Sequence, residues 1–558
     1  MNKKYFLMLF MVSMLAVTAC KKNKVDPKPT TQEETKPEDE IPPVTTNRFE
    51  LSQDSIFLYA KQLYFWNDQL PTYKVFNPRK YTSGSSDLAK FNSLIFGIAG
   101  YSTSKYDVYK IGNVYQNSPK YSYVSDKTTK NPTAVVMDKS MAVDLEGNGN
   151  DIGLRLIAYI TNETTRAYYL FVTAVYNGSP ADEAGFRRGM IITKLNGNTV
   201  GANYENDLST LNSALAGSVV NIEARTFIGA TTLTKSLTKR SYKSSPIYKQ
   251  KVITAGSKKI GYFAFARFSK LTVSGRTPSD VNLDAVFNDF QNQGITDLVV
   301  DLRYNGGGYI ETAEYLINLI ASTSNNGKVM FTEHYNATMQ NNKATILKNQ
   351  PLLNASGNVQ YQNGNIVTYF DYIANPYSVA NNTTTFSKKG GLNSVQNVVF
   401  LVTKNTASAS ELVINSLKPY IGVKVIGATT YGKPIGFFPI TIENRYEVYF
   451  SLFETKNSLG QGGYYDGIKP ETGYDEDADP SGAFWDDVRY DFGDVNEAYL
   501  AGALKILAPG TTVTNSAKVA STMSVNGNVF NLKDVEKMKP VKNDSFVGMV
   551  ENRLKLKN

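Results

Sequence analysis

Apolar positions at Ile56, Tyr59, Ala60, Leu63 and Trp66 recur at helical spacing. They predict a helix capped by Ser52 or Asp54 and ended before Pro71. Looser patterning up to about residue 139 predicts a small helical domain with irregular connections. Between about residues 148 and 239 the period shortens. Local rules there give a strand over 171–175, a turn at Asn177-Gly178-Ser179-Pro180, one helical turn to Ala184-Gly185-Phe186, a strand over 189–195 and an Asn196-Gly197 turn. From about residue 258 strands and helices alternate. Strands are expected over 260–268, 298–300 and 398–402, with helices at 284–290 and along Ile310, Ala313, Leu316, Ile317 and Ile320. Residues 438–442 and 446–450 predict a hairpin, and 494–507 a closing helix. A Tyr/Asn-rich stretch over 322–391 reads as an insertion, and the polar tail after Pro509 receives no function.

Composition narrows the classes. The chain has 558 residues, 42% hydrophobic and 20% charged, which fits a globular protein of three or four domains. Its net charge of +9 comes from scattered lysines without a basic stripe, so nucleic acid is not an expected partner. There is one cysteine, Cys20, and one histidine, His334. That excludes an intrachain disulfide, Cys-rich or multi-histidine zinc sites and, outside Cys20, a thiol nucleophile. No metal or cofactor is expected. The acidic run Asp475-Glu476-Asp477-Ala478-Asp479 lacks a spaced ligand loop with a turn glycine, and reads as a solvated loop. A hydrolase built from this chain would need Lys, Asp or Glu as its base, because His334 lies in the Tyr/Asn-rich stretch. The 36 tyrosines are spread over the whole chain, and packing accounts for them better than a glycan platform does.

At the start, Met1 to Lys4 are basic and residues 5–17 form an apolar run too short to span a bilayer. The run ends Val17-Thr18-Ala19-Cys20, which resembles the lipobox of bacterial lipoproteins. The resemblance implies a cleaved signal peptide over 1–20, lipidation of Cys20 and membrane attachment through that anchor. It also implies a location in the bacterial cell envelope; the outer membrane, on its periplasmic or surface face, is the expectation, and the sequence leaves the membrane and its face open. Residues 21–47 are rich in Pro, Thr, Lys and Glu and read as a disordered tether.

Candidate chemistry lies further along. Val402 ends a buried strand, Thr403-Lys404-Asn405-Thr406-Ala407-Ser408 is small and polar, and a helix follows through Ala409-Ser410-Glu411. A hydroxyl at such a strand-to-helix turn sits beside N–H groups that can stabilise an oxyanion. Alone, Ser408-x-x-Glu411 is a capping box. The stretch, however, resembles the active-site signature of the C-terminal processing peptidases (tail-specific proteases), whose nucleophile aligns with Ser408. That family's base is a lysine after a glycine, 25 residues downstream, where Tyr431-Gly432-Lys433 stands here. Its oxyanion loop matches Asp301-Leu302-Arg303-Tyr304-Asn305-Gly306-Gly307-Gly308. The resemblance implies a Ser408–Lys433 dyad, an oxyanion hole from the Gly307 and Ala409 N–H groups, and a structural Asp301–Arg303 brace. It also implies a crotonase/ClpP-like α/β peptidase core. Two places depart from the family. Asn405 replaces a glycine, and Phe437 stands where Gln or Glu often orients the lysine. Either another group orients Lys433, or the pair works as a simple dyad in a drier pocket, or activity is reduced.

The segment SPADEAGFRRGMIITKLNG, residues 179–197, resembles the PDZ modules of bacterial proteases. This implies peptide binding by strand addition, with the amides of Gly153 and Leu154 receiving a terminal carboxylate. The expected fold class is multidomain α/β. It comprises an N-terminal helical domain (48–147), a PDZ-like β-rich domain (148–240), a peptidase core (241–510, with the 322–391 insertion) and a tail (511–558). The expected function is a lipid-anchored serine endopeptidase acting on protein or peptide substrates, with oligomeric state open. The rival is a weak or inactive homologue that tethers peptides at a membrane.

Overall fold

The computed structural model describes residues 37–128, 143–227, 231–274, 277–354, 357–480 and 484–511, and the backbone of four short strands beyond them. The expected signal segment, Cys20 and most of the tether lie outside the described residues.

The first helix, Arg48–Leu63, begins a turn earlier than its apolar pattern suggested. Asn47 caps it by accepting the Phe49 N–H, and Ser52 and Asp54 lie buried within it. Asp54 instead pairs with Arg79 at 2.7 Å. The helical N-terminal region shares its core with the α/β region. Ile56, Leu63 and Phe91 belong to the same apolar cluster as Phe263, Leu298, Val398 and Leu412. The Tyr123–Asp126 strand also pairs with Tyr446–Tyr449, far along the chain.

The second unit is an antiparallel sheet in the order Thr232–Thr238, Val219–Thr226, Met190–Leu195, Tyr168–Val175, Leu154–Ile160. Ser179 caps the one-turn helix Pro180–Glu183, as the turn sequence predicts. Sequence reading passed over the helix Tyr204–Ala216. Its cap Asn203 and its buried Leu211, Ala214 and Leu215 carry the helical signature.

The α/β region is a five-stranded sheet ordered Ile247–Ala255, Lys258–Phe265, Asp297–Asp301, Asn397–Val402, Gly422–Gly427. The first pair is antiparallel and the rest are parallel. Alternate residues serve opposite faces. Val398, Phe400 and Val402 pack with the helices Val281–Gln293, Ile310–Ile320 and Ala409–Leu417, while Val399 and Leu401 pack with Ala498–Leu507. Covered on both sides, these strands read as unbroken apolar runs. Ile440–Ile442 and Tyr446–Tyr449 form the expected hairpin. The 322–391 stretch is integrated rather than peripheral. Its Val329–Tyr335 strand pairs with Phe453–Asn457, which in turn pairs with Ile435–Gly436. The tail also contributes structure: Lys539–Pro540 and Gly548–Val550 pair with Tyr159–Ile160 and Gly307–Tyr309 respectively.

Candidate active site

Three loops meet at the ends of the parallel strands. After Asn397–Val402 the chain turns through Thr406 and Ala407, whose N–H donates to Asn305 O at 3.2 Å. Ser408 follows with φ 63° and ψ −111°, a conformation that costs a non-glycine residue about 1–3 kcal/mol. The residue is fully buried, yet its Oγ has no hydrogen-bond partner among the described residues. Glu411 closes its half of a capping box by accepting the Ser408 N–H, but the unpartnered Oγ in a strained turn is more than a helix cap requires.

Glu411 organises the site. Its Oε2 accepts the N–H of Ser408 at 2.7 Å and of Lys433 at 2.8 Å, while Oε1 accepts the Gly432 N–H at 2.7 Å and the Thr430 hydroxyl. The two main-chain nitrogens that share Oε2 are thus no farther apart than those two bonds laid end to end. Burial raises the Glu411 pKa above the usual carboxylate value, against the lowering pull of Thr430 and the three N–H groups. Gly432 is required here. With φ +80°, an added Cβ would sit 2.4 Å from Gly467 N and Tyr465 O.

The Lys433 side chain is fully buried. Its Nζ lies 4.3 Å from the Phe437 ring centroid and 5.7 Å from that of Tyr121. Burial lowers its pKa to about 7. Asp107 and Glu411 pull it upward and the neighbouring Lys120 pushes it further down. Phe437 therefore forms an apolar wall of the lysine pocket. Sequence reading missed Lys120 and Tyr121, which come from the N-terminal region and hold the lysine loop by donating to Gly432 O. No local motif marks them, because their partner lies more than 300 residues away.

The third loop follows Asp297–Asp301. Asn305 O accepts from Ser410 Oγ at 3.1 Å as well as from Ala407, binding this loop to the serine turn. Gly308, at φ +139°, lies so close to Phe268 that a Cβ would be 2.2 Å from its carbonyl oxygen. Ala409 opens its helix, so its N–H falls outside the helical bond ladder. The Gly307 N–H donates to Asn305 Oδ1 at 3.0 Å, so an oxyanion would have to take over that bond.

Behind the loop, the fully buried Arg303 pairs with Asp301, with Asp486 at 2.7 Å and with Glu497 at 2.9 Å. This is the expected brace, extended. Arg188 of the antiparallel sheet unit joins it through Asp486 and the Tyr304 hydroxyl, each at 2.7 Å. Burial would raise the Asp486 pKa, but Arg188 and Arg303 hold it at about 2.

Other candidates fall elsewhere. His334 lies on Val329–Tyr335, one strand removed from Ile435–Gly436, with its Nε2 engaged by Thr332 Oγ1 at 2.8 Å. Gly153 directs its N–H to Asp151 Oδ1 at 2.7 Å, and Leu154 begins the strand opposite Val175. The acidic run is not simply solvated, since Glu476 accepts from the Tyr499 hydroxyl and Asp477 pairs with Lys404 at 3.0 Å. No group of three or more metal-ligating side chains occurs among the described residues.

Residues 259–473 match the profile of peptidase family S41, and residues 171–226 that of the PDZ domain. The chain carries a family S41 peptidase domain. The site loops all fall within that match. A search of characterised proteins finds carboxy-terminal processing protease CtpB of Bacillus subtilis, 21% identical over 351 residues. It also finds carboxyl-terminal-processing peptidase 3 of Arabidopsis thaliana chloroplasts, 26% identical over 166 residues. Those alignments span 62% and 29% of this chain, and 60% and 31% of the relatives' own lengths. A solved structure described as an S41 protease from Bacteroides fragilis shares the fold at a TM-score of 0.51 and 20% identity. It covers 84% of this chain and 98% of its own.

Proposed function

We propose that this protein is a lipid-anchored serine endopeptidase using Ser408 as nucleophile and Lys433 as general base. The reading rests on one arrangement: a single buried carboxylate oxygen holds the main chain of both a strained, unpartnered serine and a lysine whose pKa is brought to about 7. As Oγ attacks the substrate carbonyl carbon, its proton passes to the neutral Lys433 amine. The carbonyl oxygen becomes an oxyanion, received by the Ala409 N–H and by Gly307 once it exchanges its Asn305 acceptor. Collapse breaks the C–N bond, and the Lys433 ammonium returns the proton to the leaving amine. Water then attacks the acyl-Ser408 ester with Lys433 again as base, freeing the carboxylate product and restoring the hydroxyl.

Substrates are proteins or peptides, held by strand addition at the PDZ sheet, with Gly153 and Leu154 near the bound carboxylate. Cys20 carries the anchor, which tethers the protein to a membrane of the bacterial cell envelope, the outer membrane being the expected one. Replacing Cys20 with Ala should abolish palmitate incorporation, and labelling of that variant would remove the anchor. The catalytic reading is tested by rate. Ser408→Ala and Lys433→Ala should each lose at least roughly 10³-fold in peptide hydrolysis, and the double variant little more, because units are non-additive. Retention of activity in either single variant would refute it.

A further inference from the structure

The tail occupies two sheet edges that a bound peptide would need. Lys539 and Pro540 pair with Ile160 and Tyr159, on the outer strand of the PDZ sheet. The pairing is antiparallel, so this piece of chain runs toward Leu154 and the loop that precedes it, as an added peptide would. Pro540 suits an edge, where a missing N–H breaks no ladder. Farther on, Gly548–Val550 pairs in parallel with Gly307–Tyr309, and Gly548 stands opposite Gly307. The same strand lies against Ile435–Gly436, directly beyond the Lys433 loop. It therefore spans from the oxyanion loop to the lysine side of the site. Phe546-Val547-Gly548-Met549-Val550 is a nonpolar run within an otherwise polar segment.

We propose that the C-terminal strands Lys539–Pro540 and Gly548–Val550 are the resident occupants of this protein's own peptide track, and that an incoming peptide must displace them. The catalytic assignment above supplies the meaning of Gly307, but occupancy of the two edges is independent of it. A covalently linked occupant acts at an effective concentration that favours it over dilute peptides. If it is docked nine-tenths of the time, the apparent affinity of a competitor falls about tenfold.

The test uses the full chain carrying Ser408→Ala, so that no turnover enters. The probe is a fluorescein-labelled peptide of residues 539–551. Met549→Pro removes an N–H and breaks strand pairing without touching the catalytic loops; Val550→Pro is the second variant. Peptide Kd should fall about tenfold in both proline variants, and amide hydrogen exchange at 307–309 should accelerate by a similar factor. Unchanged exchange would show that the strand does not dock there. Faster exchange with unchanged Kd would show docking without competition. Either result overturns the proposal. Loss of hydrolysis in the Ser408 protein has no bearing on it, so failure of the catalytic reading is seen separately.

Discussion

Acidification should switch off hydrolysis around neutral pH through one group, the Lys433 amine. An ordinary lysine with a pKa of about 10.5 is neutral in only about one molecule in 3,000 at pH 7. Burial brings Lys433 to about 7, so half the molecules hold the base form there. If the neutral form is the active one, as proposed, kcat/KM should rise with pH. About a tenth of the plateau is expected at pH 6, half near pH 7 and about nine-tenths at pH 8, with a tenfold change per unit below the inflection. The assay is initial-rate hydrolysis of a quenched fluorescent casein peptide from pH 5 to 10 in buffers of constant ionic strength. Phe437→Gln supplies the matching perturbation. It puts an amide where the ring now stands 4.3 Å from Nζ, eases the desolvation and should move the inflection up by about one unit. An inflection above pH 9 in the wild-type protein, or one that ignores Phe437→Gln, would refute the burial argument.

Further outcomes follow from the strained serine and the buried brace. Ser408→Gly should be more stable than Ser408→Ala by about 1 kcal/mol in thermal unfolding, because only glycine adopts φ 63°, ψ −111° without strain. Equal stabilities would mean that the turn stores no strain. Arg303→Ala should cost roughly 3–5 kcal/mol, since it strands Asp301, Asp486 and Glu497 in the interior. Urea unfolding checks this, and a loss below about 1 kcal/mol would show that the cluster is solvated.

The α/β core was readable because its strands and helices carry strong apolar periods. Asn397–Val402, buried on both faces, could hardly be mistaken. The Ser408 turn, the Gly432-Lys433 pair and the glycine loop were each visible as short motifs with fixed spacing. Phe437 was seen as a departure, but its role as a pocket wall depends on tertiary packing. What sequence could not reveal was long-range closure. Lys120 and Tyr121 reach Gly432 across the chain, and the N-terminal helices merge into the core cluster instead of forming a separate one. Glu411 was legible as a helix cap, yet its hold on Gly432 and Lys433 needs the loops brought together. The tail strands escaped because they are short and satisfied only by distant edges.

The proposed activation of Ser408 by a neutral Lys433 can be read with a covalent probe. The full chain treated with a fluorophosphonate at pH 8, digested and mapped by mass spectrometry, tests it most directly, with Lys433→Arg alongside. Arginine keeps the charge but does not shed its proton at working pH. A single phosphonylated residue, Ser408, is expected in the wild-type protein, and no adduct in Lys433→Arg on the same timescale. An adduct on another serine, or labelling of Lys433→Arg at the wild-type rate, would contradict it.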